Sequence, residues 1–131
     1  MFSVSFSFRR PGNLGVKDGR LAPCRRTPNC VSSQADPADR EHYIAPIAFA
    51  GSMSQLRKLV EAMAGAMVIR EEPDYLYAEF RTPLLRFVDD VELFLDGAVL
   101  HVRSASRLGR RDFGVNRKRV EQIRSLTQAP R

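Results

Sequence analysis

The apolar positions change period twice along the chain. Met53, Leu56, Leu59, Val60 and Met63 recur at steps of three and four, the spacing of one helix face. Ser52 precedes them with Gln55 three residues on, the residue types of a capping box, and Gly65 stands where a helix would stop. From Ala66 the period falls to two. Ala66–Glu71 is a short apolar run closed by Glu72-Pro73-Asp74. Tyr75–Thr82 alternates, with Leu76, Ala78 and Phe80 on one side and Tyr75, Tyr77, Glu79 and Arg81 on the other. Phe87–Leu95 and Ala98–Ser106 predict two more strands. Helical spacing returns at about Val115 and lasts to Thr127. Asn116, Val120, Ile123 and Thr127 line its inner face beside Leu126, and Arg117 and Glu121, four apart, can pair outside.

Four sequential strands with short connections imply an antiparallel sheet. The expected fold class is α+β: a four-stranded antiparallel sheet with two helices packed on one face, order α-β-β-β-β-α, preceded by a long irregular N-terminal segment. Residues 9–41 hold Pro11, Gly12, Gly15, Gly19, Pro23, Pro28 and Pro37 and show no periodicity. A segment of that length is either functional or partly disordered. His42–Phe49 fits a short strand or extended arm, confined to an edge by Pro46. We expect residues 1–20 to form a flexible tail and 21–128 a single α+β domain. Phe2, Val4, Phe6 and Phe8 alternate as in an edge strand, a frayed tail or a weak membrane-surface anchor.

Asp96-Gly97 has the composition of a two-residue hairpin loop. With that loop, Leu95 faces Ala98, Glu92 faces His101 and Asp90 faces Arg103. Leu93 meets Leu100 and Val91 meets Val102, so both apolar sets share one side. The other side carries Asp90, Glu92, Phe94, His101 and Arg103.

Two segments of opposite charge therefore lie close together. Asp89, Asp90 and Glu92 can act as general acid–base groups or ligate a hard metal, with His101 beside them. Alternatively they pair with Arg103 and neighbouring basic groups on a solvated sheet face. The second segment supplies Arg103, Ser104, Ser106 and Arg107, then Gly109, Asp112, Gly114, Asn116, Arg117 and Arg119. Small hydroxyls, glycines and guanidinium groups at a helix start can cradle an anion. The competing reading makes Asp112 or Asn116 a helix cap and ties the arginines to Asp89 and Asp90.

With 131 residues the chain is one domain, long enough to bury a core without metal or disulfide staples. Its net charge of +6 favours anionic partners, but no aromatics are interleaved with the basic residues, so nucleic acid is not expected. No apolar run approaches the roughly 20 residues that span a bilayer. Arg9-Arg10 follow the apolar start, the reverse of a secretory signal, so a cytoplasmic location is expected. There, Cys24 and Cys30 default to free thiols; a loop-closing disulfide or redox-sensitive pair is the alternative. A zinc site would need a second ligand pair, and only His42 and His101 are present. No P-loop, dinucleotide fingerprint, nucleophile elbow or HExxH pattern occurs. No cofactor or metal is expected, and no catalytic residue is assigned.

Several separated motifs resemble one family. Leu21-Ala22-Pro23-Cys24, Pro28-Asn29-Cys30-Val31-Ser32-Ser33-Gln34, Asp89-Asp90-Val91-Glu92, Arg103-Ser104-Ala105-Ser106-Arg107, Gly109, Asp112, Gly114 and Asn116-Arg117-Arg119 are similar to domain-of-unknown-function family 1499 over about residues 14–126. Arg25-Arg26 depart from the family pattern, which has Pro and an acidic or amide residue there. The resemblance implies a small bacterial or plastid-associated domain with no established activity. It also implies that the Cys loop, the acidic strand and the Arg-Ser segment form one recurring pattern, and we expect them to meet around one site.

The expected function is a non-catalytic binding module. Its ligand would be a small anion, an acidic protein partner or a lipid headgroup, held near Arg103, Arg107, Asn116 and Arg117. Arg107→Ala would then weaken binding without unfolding the domain. The alternatives are a hydrolase using Asp90 or Glu92 with His101, and a redox-responsive protein governed by Cys24 and Cys30.

Overall fold

The computed structural model describes residues 9–83 and 87–128. The alternating stretch Phe2–Phe8 lies outside them. The elements are β1 (Cys30–Ser32), β2 (Ile47–Ala48), α1 (Met53–Glu61), β3 (Ala66–Glu72), β4 (Tyr75–Arg81), β5 (Val88–Asp96), β6 (Val99–Ser106) and α2 (Val115–Gln128). The sheet runs β1-β6-β5-β4-β3 with every pairing antiparallel, and β2 joins β6 on the edge that β1 also uses.

The α+β class and the two helices are as expected, but the sheet has six strands rather than four. Two strands also precede the first helix, so the order is β-β-α-β-β-β-β-α. β1 and β2 span three and two residues. Runs that short carry no readable alternation, and they become strands only because the edge of β6 offers hydrogen-bonding partners.

The capping box forms: the Gln55 N–H donates to Ser52 Oγ at 3.2 Å, and the Ser52 N–H donates to Gln55 Oε1 at 2.8 Å. Gly65 follows α1 at φ +78°, where a Cβ would run into the Arg81 carbonyl. Met53, Leu56, Val60 and Met63 of the first helical stretch and Val120 and Ile123 of α2 meet Leu76, Ala78, Phe80, Val91, Leu93, Leu100 and Val102 in one core. Both helices thus cover the same sheet face. Outside α2, Arg117 does not pair with Glu121; Arg124 does so at 2.9 Å, and Arg117 donates to the carbonyls of Arg40 and Glu41.

The β5–β6 turn falls one residue later than expected. Asp96 pairs with Val99, so the loop is Gly97-Ala98, with Gly97 at φ +63° in its first position. That is the glycine placement of a type II′ turn, whose twist suits a hairpin. Cross-strand partners change accordingly: Glu92 opposes Arg103, and Asp90 opposes Ala105. The shift is by two positions, so each side chain keeps its predicted face.

The second sheet face is not solvated. Residues 9–25 run across it, and Leu14, Val16 and Leu21 pack with Ile69, Tyr75, Tyr77 and Phe94 in a smaller core. Gln34 fastens this cover: its Oε1 accepts from the Leu21 N–H at 2.8 Å and its Nε2 donates to the Gly19 carbonyl at 3.0 Å. Part of the segment read as a tail is therefore the layer that closes the sheet's polar side.

Candidate functional site

Alternation decides which predicted residues can meet. Neighbours on a strand point to opposite faces, so Asp89 and Asp90 cannot share a site on one face, nor can Arg103 and Ser104. The structure divides nine of the ten candidates accordingly, and the tenth, Arg117, holds the carbonyls of Arg40 and Glu41 instead.

On the covered face, Asp90, Glu92, Arg103 and Arg107 join Tyr75, Tyr77, Glu79 and Arg10 in a buried ionic network. Arg107 grips Asp90 with two nitrogens, Nε to Oδ2 at 2.9 Å and Nη2 to Oδ1 at 2.8 Å, and Nη2 also reaches Glu79 Oε2 at 2.6 Å. Arg10 Nε donates to the same Glu79 oxygen at 2.7 Å. The single Tyr77 hydroxyl proton is shared between Asp90 Oδ1 at 2.5 Å and Glu79 Oε2 at 2.9 Å, and the Tyr75 hydroxyl donates to Glu92. Glu92 Oε2 also accepts from the Gly15 N–H at 2.7 Å. Burial and the adjoining carboxylates push both tyrosine pKa values far up. Burial alone would raise Glu79, but hydrogen bonds from Arg10, Tyr77 and Arg107 outweigh it and hold its pKa at about 2.

On the helix face, Asn116 is fully buried and joins the other half. It accepts from Ser104 Oγ and donates to Ser106 Oγ at 2.8 Å, to Asp112 Oδ2 at 2.7 Å and to the Asn29 carbonyl at 3.2 Å. Asp112 also accepts from the N–H groups of Gly114 and Asn116, which ties the start of α2. Asp89 is bridged by Arg119 at 2.7 Å, and the Arg119 guanidinium lies 4.7 Å from the Phe80 ring centre. These residues anchor a helix start.

The Cys loop, the acidic strand and the Arg-Ser segment meet around one cavity through Asn29, Cys30, Asp90, Arg103 and Arg107, while Asp89, Ser104 and Asn116 lie on the helix side of the sheet. Two expectations change here. His101 stacks on Phe94 and meets Ser33 Oγ through Nδ1 at 3.1 Å; among the described residues no hydrogen bond joins it to Asp90 or Glu92. Cys24 and Cys30 are not free thiols but a disulfide, with Cα atoms 5.7 Å apart. Among the described residues, no three His, Cys, Asp or Glu side chains come together as a metal ion would require.

The cover leaves a gap at its margin. A cavity of about 130 Å³ opens between the N-terminal segment and the sheet, lined by Arg9, Arg25, Arg103, Arg107, Asp90 and Cys30, with Asn13, Asn29 and Ser106 among the remaining wall residues. Its wall carries four guanidinium groups against one carboxylate. Arg103 is only 6% exposed, and its Nε has no hydrogen-bond partner among the described residues. Its other contacts are loose: Nη2 donates to the Pro23 carbonyl at 3.3 Å, and Nη1 stands 3.9 Å from Glu92 Oε1, which also lacks a hydrogen-bond partner. Burial lowers the Arg103 pKa, opposed by the charges of Glu92 and Asp90, while Arg25 adds to the lowering.

Sequence reasoning missed Tyr75, Tyr77, Glu79 and Arg10. The first three were readable as one polar face of β4, and carrying the cross-strand pairing from β5 to β4 would have joined them to Asp90 and Glu92. Arg10 gave no signal, because no periodicity places a loop residue over a sheet.

Fold and site define a small α+β domain with a buried ionic layer beneath an N-terminal cover and a cationic cavity beside a disulfide. The family model described as "Protein of unknown function (DUF1499)" matches residues 20–126, so the chain belongs to that family. No curated protein and no solved structure matches it. No described helix is long and apolar enough to cross a membrane.

Proposed function

We propose that this chain is a non-catalytic binding module that takes a small oxoanion or carboxylate in the arginine-lined cavity. The observation that carries this reading is Arg103, a 6% exposed guanidinium on the wall of a polar cavity whose contacts to the Pro23 carbonyl and Glu92 are long. A buried cationic donor with so few close partners is costly, and an anion at its guanidinium would offset that cost. The volume suits one phosphate-sized group rather than an extended ligand. An acidic side chain or a headgroup would have to present the same group at the rim, where Arg9 and Arg25 are exposed.

The disulfide favours an oxidising compartment over the cytoplasm expected from the sequence. The hydrolase alternative has less support, because Asp90 is occupied by Arg107 and Tyr77, and His101 is engaged by Ser33.

Calorimetric titration with inorganic phosphate and sulfate tests the binding reading. Arg103→Lys keeps the charge facing Glu92 and removes the Nε donor and planar fork. It should weaken binding about tenfold, which is about 1.4 kcal/mol, with little change in melting temperature. Arg25→Ala, an exposed truncation, should weaken binding similarly. Absence of saturable binding by the unaltered chain would refute the proposal.

A further inference from the structure

The Cys24–Cys30 disulfide separates two cavities. Cys24 is half-buried and lines one of about 320 Å³ together with Leu21, Pro23 and His42. Cys30 is 3% exposed and lines the arginine cavity. Register fixes what lies beside it. Cys30 opposes Ala105 and Ser32 opposes Arg103, so Cys30 and Arg103 occupy diagonal positions on one sheet face, about 7 Å apart. While the disulfide is intact, the Cys30 sulfur is uncharged and a poor acceptor.

We infer that the disulfide is a redox switch on this cavity: its reduction places a Cys30 thiolate against Arg103 and Arg25, and this built-in anion displaces the bound one. The inference rests on the anion-binding reading above. The reductant is a dithiol. One of its thiolates reaches Cys24 from the larger cavity, a new S–S bond forms to Cys24 Sγ, the Cys24–Cys30 bond breaks, and its electron pair stays on Cys30 Sγ. The second thiol of the reductant then attacks its own sulfur in the mixed disulfide and releases Cys24. The dithiol leaves as a disulfide, having given two electrons. One of its protons ends on Cys24 and the other in solvent. The charged groups lining the cavity around Cys30 are Arg25 from the disulfide loop, Arg103 and Arg107 from β6 and its end, Arg9 from the N-terminal segment, and Asp90 from β5. Asp90 is already held by Arg107. Arg107 is engaged by Asp90 and Glu79, so Arg25 and Arg103 are the guanidinium groups that favour the thiolate, as cationic neighbours do for reactive cysteines.

The test titrates the full chain with inorganic phosphate, first oxidised and then reduced with dithiothreitol. Binding should weaken at least about tenfold on reduction. The Cys24→Ser/Cys30→Ser chain, which has neither disulfide nor thiolate, should bind like the oxidised chain. Equal affinity in both redox states overturns the inference alone. A double variant as weak as the reduced chain also overturns it, because loop release rather than the thiolate would then be responsible. No phosphate binding by the oxidised chain overturns the binding reading and this one with it. A second measurement reads the thiolate directly. In Cys24→Ser, the ultraviolet absorbance of the Cys30 thiolate should be present at neutral pH and should fall when phosphate is added; its absence overturns the inference.

Discussion

Replacing Arg107 with Met should unfold a large part of this domain's stability. The guanidinium sits between Asp90 and Glu79, both nearly inaccessible, and reaches them at 2.6–2.9 Å through Nε and Nη2. Met keeps most of the side-chain volume but leaves two buried carboxylates with Tyr77 and Arg10 as their remaining donors. Removing one partner of a buried pair costs about 3–5 kcal/mol, because the other charge stays desolvated. Whole domains are stable by only about 5–15 kcal/mol, so this is a substantial fraction. Urea denaturation followed by circular dichroism at neutral pH would measure it. Adding Asp90→Asn to the same chain should recover part of the loss by removing the uncompensated charge. A loss below about 1 kcal/mol, the range of an exposed ion pair, would refute the account of a buried network. The burial also replaces the expectation that Arg107→Ala would affect binding alone.

Glu79 should make the fold acid-sensitive. Its folded pKa of about 2 lies below the ordinary 4.5, so the stability it contributes is present above about 4.5 and is lost as pH falls toward 2. The difference amounts to roughly 3 kcal/mol, and Glu79→Gln should flatten that acid limb in urea midpoints measured across pH. Asn116→Ala should cost about 2–4 kcal/mol, since it strands Ser104, Ser106 and the Asn29 carbonyl at once; chemical denaturation gives the value, and a loss under about 1 kcal/mol would contradict the hub role. His42 is expected to act with the opposite pH sign. Burial opposes its charge, but the Thr27 carbonyl and Asp39 outweigh burial and raise its pKa, so its contribution is present at low pH and lost as pH rises through the folded value. His42→Gln should remove that loss from the stability–pH curve.

The periodicities by themselves determined both helices, the four long strands, the capping box and the two faces of the hairpin. Each of these is local: a period of 3.6 or 2 commits a side chain to a face whatever it later meets. That is why the hairpin register could be wrong by two positions while Asp90, Glu92 and Arg103 kept the predicted side. The same alternation already excluded Asp89 and Ser104 from the face that carries Asp90 and Arg103, since each pair is adjacent.

Tertiary structure alone decided what covers those faces. The segment 9–25 has no period, so nothing in it announced that Arg10 and the Gly15 N–H would seal Glu79 and Glu92 from water. That cover turns a charged sheet face into a buried network and leaves the cationic cavity at its margin. The two shortest strands and the Cys24–Cys30 bond are of the same kind, set by an edge of β6 and by loop closure rather than by any local preference. Sequence fixes a direction for each side chain within its element, whereas burial, and with it the strength of every charge, depends on residues that are neighbours only after folding.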